Sequence, residues 1–308
     1  MIMDSVKGNG WGYYPVGVDL GVTAPTPLHR VDTDQTYLLR GCEPNTMYKP
    51  GKEPGGFRWF WQDNSVLPHL RYPHAHNPKG LKTWQRLTYC GWTVPAKYPP
   101  QQEHRQRLNT LLQEHSRGVI QDITDIWGHT RSTSPLTNRH CLVIRSSDRN
   151  YREYYNTTWN TWWNRVRPVL EHYGYTYEIR NKVGIDARKN NQVSTQIREG
   201  GFDCVLANHS AAASEAVCIG VPVIVTSEWN PASSVATPWD HFVEHGDVVE
   251  YDATIIDEWV TRCCAYTYHT TELDDWSWID VHPDAGYLRQ ERTNAVYKDI
   301  RQSTEYTL

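Results

Sequence analysis

Phenylalanine and methionine are scarce in this 308-residue chain. Four Phe and three Met stand beside 14 Trp and 19 Tyr. The core must therefore be filled by aliphatic side chains and by rings that carry a polar edge. No apolar run reaches the length that crosses a bilayer, and the first residues lack the apolar stretch of a secretory signal, so a cytoplasmic protein with no membrane partner is expected. The seven cysteines are odd in number and scattered, with no C-x-x-C and one adjacent pair, Cys263-Cys264. That pattern excludes a disulfide framework, and Cys141, Cys204 and Cys218, in apolar stretches, are expected to be buried thiols. There is no G-x-x-x-x-G-K-[ST], which excludes a P-loop, and no metal-binding D-x-D at a strand end. His74 and His76 have no third ligand at metal spacing nearby, so no metal site is expected. Low-complexity tracts and internal repeats are also missing. A net charge of −4 excludes a polyanion binder by bulk charge.

The charge is unevenly spread. Residues 1–150 hold 18 Lys and Arg against 12 Asp and Glu, and the remainder holds 13 against 23. A basic front and an acidic back can keep an anionic acceptor apart from the rest of the chain, or the asymmetry is incidental. The length suits two α/β domains rather than one core. Residues 1–135 form the expected first domain, 136–283 the second, and 284–308 a polar tail of helical pattern, with a Ser/Thr-rich linker at 128–138. The first domain opens on an irregular Gly/Pro-rich segment to about residue 36, with one short strand at 16–20. Strands are expected at 37–41 and 57–61, a weak strand pair at 81–92, a polar helix at 103–113 and a further strand at 118–126.

The stretch 201–226, GFDCVLANHSAAASEAVCIGVPVIVT, organises the second domain. A short apolar run at 202–207 reads as a buried parallel strand. An Ala-rich helix follows over 211–219, with Ser210 as N-cap and Gly220 as its stop. Val221-Pro222-Val223-Ile224-Val225 is a second buried strand. This tight crossover aims backbone N–H groups of the His209-Ser210-Ala211 turn at the carboxyl edge of a sheet, where an anion can sit. Ala211 is small enough to admit a diphosphate, and Glu215, one turn into the helix, can accept from a ribose. The alternative is a crossover that binds nothing, with Ser210 only capping and Glu215 solvated.

Ser210, Glu215-Ala216 and Gly220-x-Pro222-Val223-Ile224 resemble the donor-binding signature in the C-terminal domain of GT-B glycosyltransferases. Nucleotide-sugar 2-epimerases share that fold and a similar signature. A looser resemblance, from about Cys141 to about Trp278, is to a group of phage and prophage GT-B-like proteins. The resemblance implies an α/β, GT-B-like chain: two Rossmann-like domains, the first short and irregular, the second binding the donor. It implies a metal-independent glycosyltransferase that moves a sugar from a nucleotide-sugar, UDP-sugar favoured, to an acceptor hydroxyl. The nucleotide-sugar is a co-substrate and no resident cofactor is implied. If the chain is phage-encoded, its location is the host cytoplasm and a hydroxymethylated base in phage DNA is an acceptor. The alternatives are a nucleotide-sugar epimerase or hydrolase, and a non-catalytic nucleotide-binding phage protein.

The remaining candidates follow from position. A strand at 140–144 ends in Arg145-Ser146-Ser147-Asp148-Arg149. In GT-B enzymes this loop touches the donor phosphates, and Ser146, Ser147 and Arg149 can do so here, or the loop is a plain turn. The helix at 158–173 carries Trp159, Trp162 and Trp163 on one face, a core stripe, with Pro168 expected to kink or shorten it. Arg180-x-Lys182 places two cations at the end of the strand at 175–179, where an anion can bind. Asp63, in Gln62-Asp63-Asn64 at a strand end, is the first candidate for the acceptor base or is a turn-former, and Glu43 is the second. Arg71, Lys82 and Arg86, interleaved with Tyr72, Trp84 and Tyr89, offer a basic and aromatic acceptor face. An amphipathic helix is expected at 255–268.

Overall fold

The computed structural model describes residues 12–15, 36–40, 58–67, 70, 84–89, 99–115, 122–123, 138–181, 193–274, 277–286 and 289. Two five-stranded sheets carry the architecture.

The second sheet is parallel throughout. Its strands are β5 (His140–Ile144), β6 (Thr176–Arg180), β7 (Cys204–Ala207), β8 (Val223–Val225) and β9 (Thr237–Pro238), in the order β6-β5-β7-β8-β9. Alternation along the strands serves both faces. Leu142, Ile144, Val205, Ala207, Val223 and Val225 belong to one buried cluster. Cys141, Val143, Cys204, Leu206 and Ile224 belong to another. A sheet buried on both sides needs continuous apolar runs, which is why 140–144, 202–207 and 221–225 are legible as strands.

Helices cover each face. Asp148–Tyr155 (α2) and Trp159–His172 (α3) lie on the second cluster's side, where Trp159, Trp162, Trp163, Val166 and Leu170 are all buried. The Trp stripe is core, as its spacing predicts. Thr158 starts α3 by accepting the Thr161 N–H at 3.1 Å. Pro168 sits inside that helix without ending it. Asn164, whose carbonyl the proline leaves without an amide, is exposed to water, as is Pro168 itself. The other face holds Val193–Gly200 (α4), Ala212–Cys218 (α5) and Ala253–Cys264 (α7); Trp239–His245 (α6) adds Phe242 to the Trp side.

The first sheet is mixed. Its order is β1 (Gly12–Pro15), β2 (Thr36–Arg40), β3 (Arg58–Asn64), β4 (Trp84–Tyr89) and β10 (Thr267–His269). Only β2 and β3 run parallel. The α/β class and a Rossmann-like parallel half are therefore present, with helices on both of its faces. Residues 16–20 lie outside the described residues, as do most of 118–126, of which Asp122 and Ile123 are not in a strand.

β10 departs from expectation. The helix predicted over 255–268 ends at Cys264, and Thr267-Tyr268-His269 leaves it to pair antiparallel with β4. Gln102–His115 (α1) fastens this return. Arg107 pairs with Glu272 of Thr270–Asp274 (α8) and donates to the carbonyls of Cys264 at 2.9 Å and Thr267 at 2.6 Å. Trp278–Val281 (α9) follows, and its Trp278 lies edge-on to Phe60 of β3. One buried cluster runs from Val66, Trp84 and Leu108 through to Val205 and Trp259. Among the described residues no helix is long and apolar enough to cross a membrane.

Candidate functional site

The order β6-β5-β7-β8-β9 reverses direction between β5 and β7, and ligands of open α/β sheets bind in the crevice outside the carboxyl ends of the strands at such a reversal. The loops leaving β5 and β7 therefore frame the candidate site. Four predicted donor residues, Ser146, Ser147, His209 and Ser210, stand on them.

The two loops are bonded to each other. The Ser146 hydroxyl, 6% exposed, donates to the His209 carbonyl at 2.9 Å, and the Asn150 amide reaches the same oxygen at 3.4 Å. Ser147 caps α2: its oxygen accepts the Asn150 N–H at 3.3 Å and its hydroxyl donates to Asn150 Oδ1 at 2.9 Å. The helix-starting role of Ser147 comes from a side chain short enough to fold back on its own turn.

The β7 turn differs from expectation in one respect. The helix begins after Ala211, which has no side-chain cap. Ser210 instead supplies two acceptors. Its hydroxyl oxygen takes the Ala212 N–H at 3.2 Å and its carbonyl takes the Ala213 N–H at 3.1 Å. An incoming phosphate must therefore displace the Ser210 oxygen to use the Ala212 N–H. Ala211 remains half-buried at the turn, where a small side chain leaves the backbone approachable.

Glu215 is 3% exposed, not solvated. Its Oε1 accepts the Ser194 N–H at 2.8 Å, in the first turn of α4. A carboxylate at a helix N-terminus is electrostatically favourable, so this side chain holds α4 to α5. Arg180, at the end of β6, donates to Gln196 of the same α4. Beside it, directly after β5, Arg145 bonds Asp148 at 3.0 Å and lies 5.3 Å from the Trp159 ring centroid.

Behind the crevice lies a chain of amides and hydroxyls that sequence reasoning missed. Trp162 Nε1 donates to Thr226 Oγ1 at 2.9 Å, and the Thr226 hydroxyl donates to Asn208 Oδ1 at 3.0 Å. Asn230 Nδ2 donates to the Asn208 carbonyl at 2.9 Å. The one available signal was polar residues placed directly after apolar runs, at Asn208 and Thr226. Beyond them, Ser227 bonds Tyr155, whose ring stacks on Trp229. Burial, the largest influence, raises the Tyr155 phenol above its ordinary value, and the Ser227 bond opposes this.

Of the remaining predicted residues, Arg86 is the one whose side chain is described, and it is not gathered here. Arg86 lies in β4, 2% exposed, so it is not on a solvent-facing acceptor surface; Trp84, Gln85, Leu87 and Thr88 are buried too, so β4 is covered on both faces of its sheet. Asp63 is the next-to-last residue of β3, inside the strand rather than beyond it, in register with Arg86. Arg149 lies in the first turn of α2; for it and Asp63 only the backbone is described. Glu43, Arg71, Lys82 and Lys182 lie outside the described residues. No cluster able to hold a metal ion occurs among the described residues. No protein-family model, curated protein or solved structure matches the chain.

Proposed function

We propose that the crevice between the β5 and β7 loops binds the diphosphate of a nucleotide-sugar, UDP-sugar favoured, and that the chain is a GT-B-like glycosyltransferase. The observation that carries this reading is the coincidence of the sheet's reversal point with Ser146, Ser147, His209 and Ser210, four residues expected at a donor phosphate. The leaving diphosphate gains charge in the transition state, so donors fixed around it stabilise that state more than the ground state. Ser146, Ser147 and the Ser210 turn are the phosphate side of this reading, with Arg149, Arg180 and Lys182 as the proposed cations. Asp63 or Glu43 is the base that takes the acceptor proton if the anomeric carbon inverts. A hydroxymethylated base in DNA is one acceptor; it would be reached through Arg71 and Lys82 without Arg86.

The test is thermal unfolding with UDP-, GDP-, ADP- and CMP-sugars at millimolar concentration. A ligand at about 100 times its dissociation constant stabilises by about 2.7 kcal/mol. A shift with one nucleotide class that is lost in Ser146→Ala and Arg180→Ala supports the reading. No shift with any of the four sinks it.

A second reading, nucleotide binding without transfer, is favoured by the mixed first sheet, in which one strand pair among the described residues is parallel. A nucleotide-induced shift accompanied by no turnover selects it. Release of free sugar with no acceptor present selects the hydrolase alternative.

A further inference from the structure

Tyr155, at the end of α2, and Trp229, in the loop after β8, meet at the same edge of the parallel sheet as the phosphate loops. Their rings stack, with centroids 5.6 Å apart and planes 28° apart. One hydroxyl ties the Tyr155 ring to the Trp229 backbone: Ser227 Oγ lies 2.9 Å from the Tyr155 hydroxyl and accepts the Trp229 backbone N–H at 3.2 Å. Ser227 is itself buried, whereas both rings keep part of their surface open. The Tyr155 ring also stands 6.3 Å from that of His209, whose carbonyl joins the phosphate loops. A rigid aromatic surface thus adjoins the crevice.

The polar groups around this surface are committed to one another. Asn230 Nδ2 serves the Asn208 carbonyl, Thr226 Oγ1 lies between Trp162 and Asn208, and Ser227 holds the Tyr155 hydroxyl and the Trp229 backbone N–H. A sugar needs partners for its hydroxyls, which this ring of satisfied groups does not offer. A nucleobase needs a π-face, which every base supplies.

We propose, resting on the nucleotide reading of the crevice, that Trp229 backed by Tyr155 is the nucleobase platform of the site. The base stacks on the open surface of Trp229 while the phosphates occupy the Ser146 and Ser210 side. Ser227 is a positioning residue that fixes the Tyr155 ring and the Trp229 backbone before the ligand arrives.

The test is calorimetric titration of the full chain with UMP, ribose 5-phosphate, UDP and UDP-glucose. UMP and ribose 5-phosphate differ only in the base. The wild type is expected to bind UMP about tenfold or more tightly than ribose 5-phosphate, Trp229→Leu to erase most of that ratio, and Trp229→Phe to keep it. Ribose 5-phosphate should bind all three alike. If Trp229→Leu leaves the ratio unchanged, the platform is wrong and the nucleotide reading stands. Uniform weakening of every ligand, or weakening of UDP-glucose without UDP, also overturns it, because stacking on a base acts on neither pattern. Failure of all four ligands to bind the wild type overturns the platform as a uridine site, and the nucleotide reading falls with it when GDP-, ADP- and CMP-sugars also give no thermal shift. If Trp229→Leu does not fold, equal wild-type affinity for UMP and ribose 5-phosphate overturns the platform without any variant.

Discussion

The Ser146 hydroxyl donates to the His209 carbonyl across 2.9 Å, and so closes the β5 loop onto the β7 loop at the point where the parallel sheet reverses. Ser146→Ala removes that donor and leaves Asn150 at 3.4 Å as the remaining partner of this oxygen. The expected cost is about 1 kcal/mol of stability, the ordinary net value of one such bond. Urea unfolding measures it. Ser146→Thr, which keeps the hydroxyl, should recover most of the loss.

Glu215 separates a structural role from a ligand-binding one. Glu215→Ala leaves the Ser194 N–H buried without its acceptor, at an expected cost of about 1–3 kcal/mol. Glu215→Gln keeps an acceptor oxygen and should cost less. A ribose-binding role predicts the reverse emphasis: Glu215→Gln would weaken UDP binding with little change in the urea midpoint.

His282 gives the fold a pH dependence. It is fully buried, held between the Leu87 carbonyl at 3.2 Å from Nε2 and the Asp284 N–H, which donates to Nδ1 at 3.0 Å. Phe60 and Trp278 meet its ring edge-on and Tyr268 stacks on it. Burial pushes its imidazole down to about 4, from an ordinary value of 6.5. Between those two values the unfolded chain binds the proton that the folded chain refuses, so stability rises with pH across that window. It is complete above about 6.5 and falls as the solution is acidified toward 4, by roughly 3 kcal/mol at about 1.4 kcal/mol per pH unit. Denaturant midpoints at pH 4.5 and 7.5 should differ more in the wild type than in His282→Gln.

Arg107 is the fastening of β10. Its guanidinium meets Glu272, two carbonyls and the face of Tyr268, 4.6 Å from the ring centroid. Arg107→Ala strands the Glu272 carboxylate and two acceptors, at an expected cost of about 3–5 kcal/mol. Arg107→Lys should recover only part, since an ammonium cannot repeat the planar fork. Unfolding by circular dichroism decides both.

What the sequence showed plainly was whatever depends on local pattern. The strands around Leu142, Val205 and Ile224 are apolar on both faces and could be nothing exposed. The Trp159–Trp162–Trp163 stripe repeats at helical spacing and is core. What stayed hidden depends on partners far along the chain. Glu215 looks solvated until α4 is packed against α5. Arg86 reads as part of a basic face until both faces of β4 are covered. Tyr268 continues a helical pattern whose competitor, an open strand edge at Gln85, lies in another part of the sequence. The N-cap position belongs to Ala211, not to Ser210, whose two acceptors work from the residue before the cap.

The return of β10 to β4 also bears on how the molecule is made. A register that joins Arg86 to Thr267 closes a loop containing the whole parallel sheet. Contacts so distant in sequence slow folding, because the loop must close before the contact rewards it. On the ribosome, the parallel half of a nascent chain can assemble as soon as Thr237–Pro238 has emerged. The first sheet must wait, its β4 edge open, until residue 269 is clear of the exit tunnel. A stalled or truncated product ending before that point would expose a strand edge able to pair with another copy.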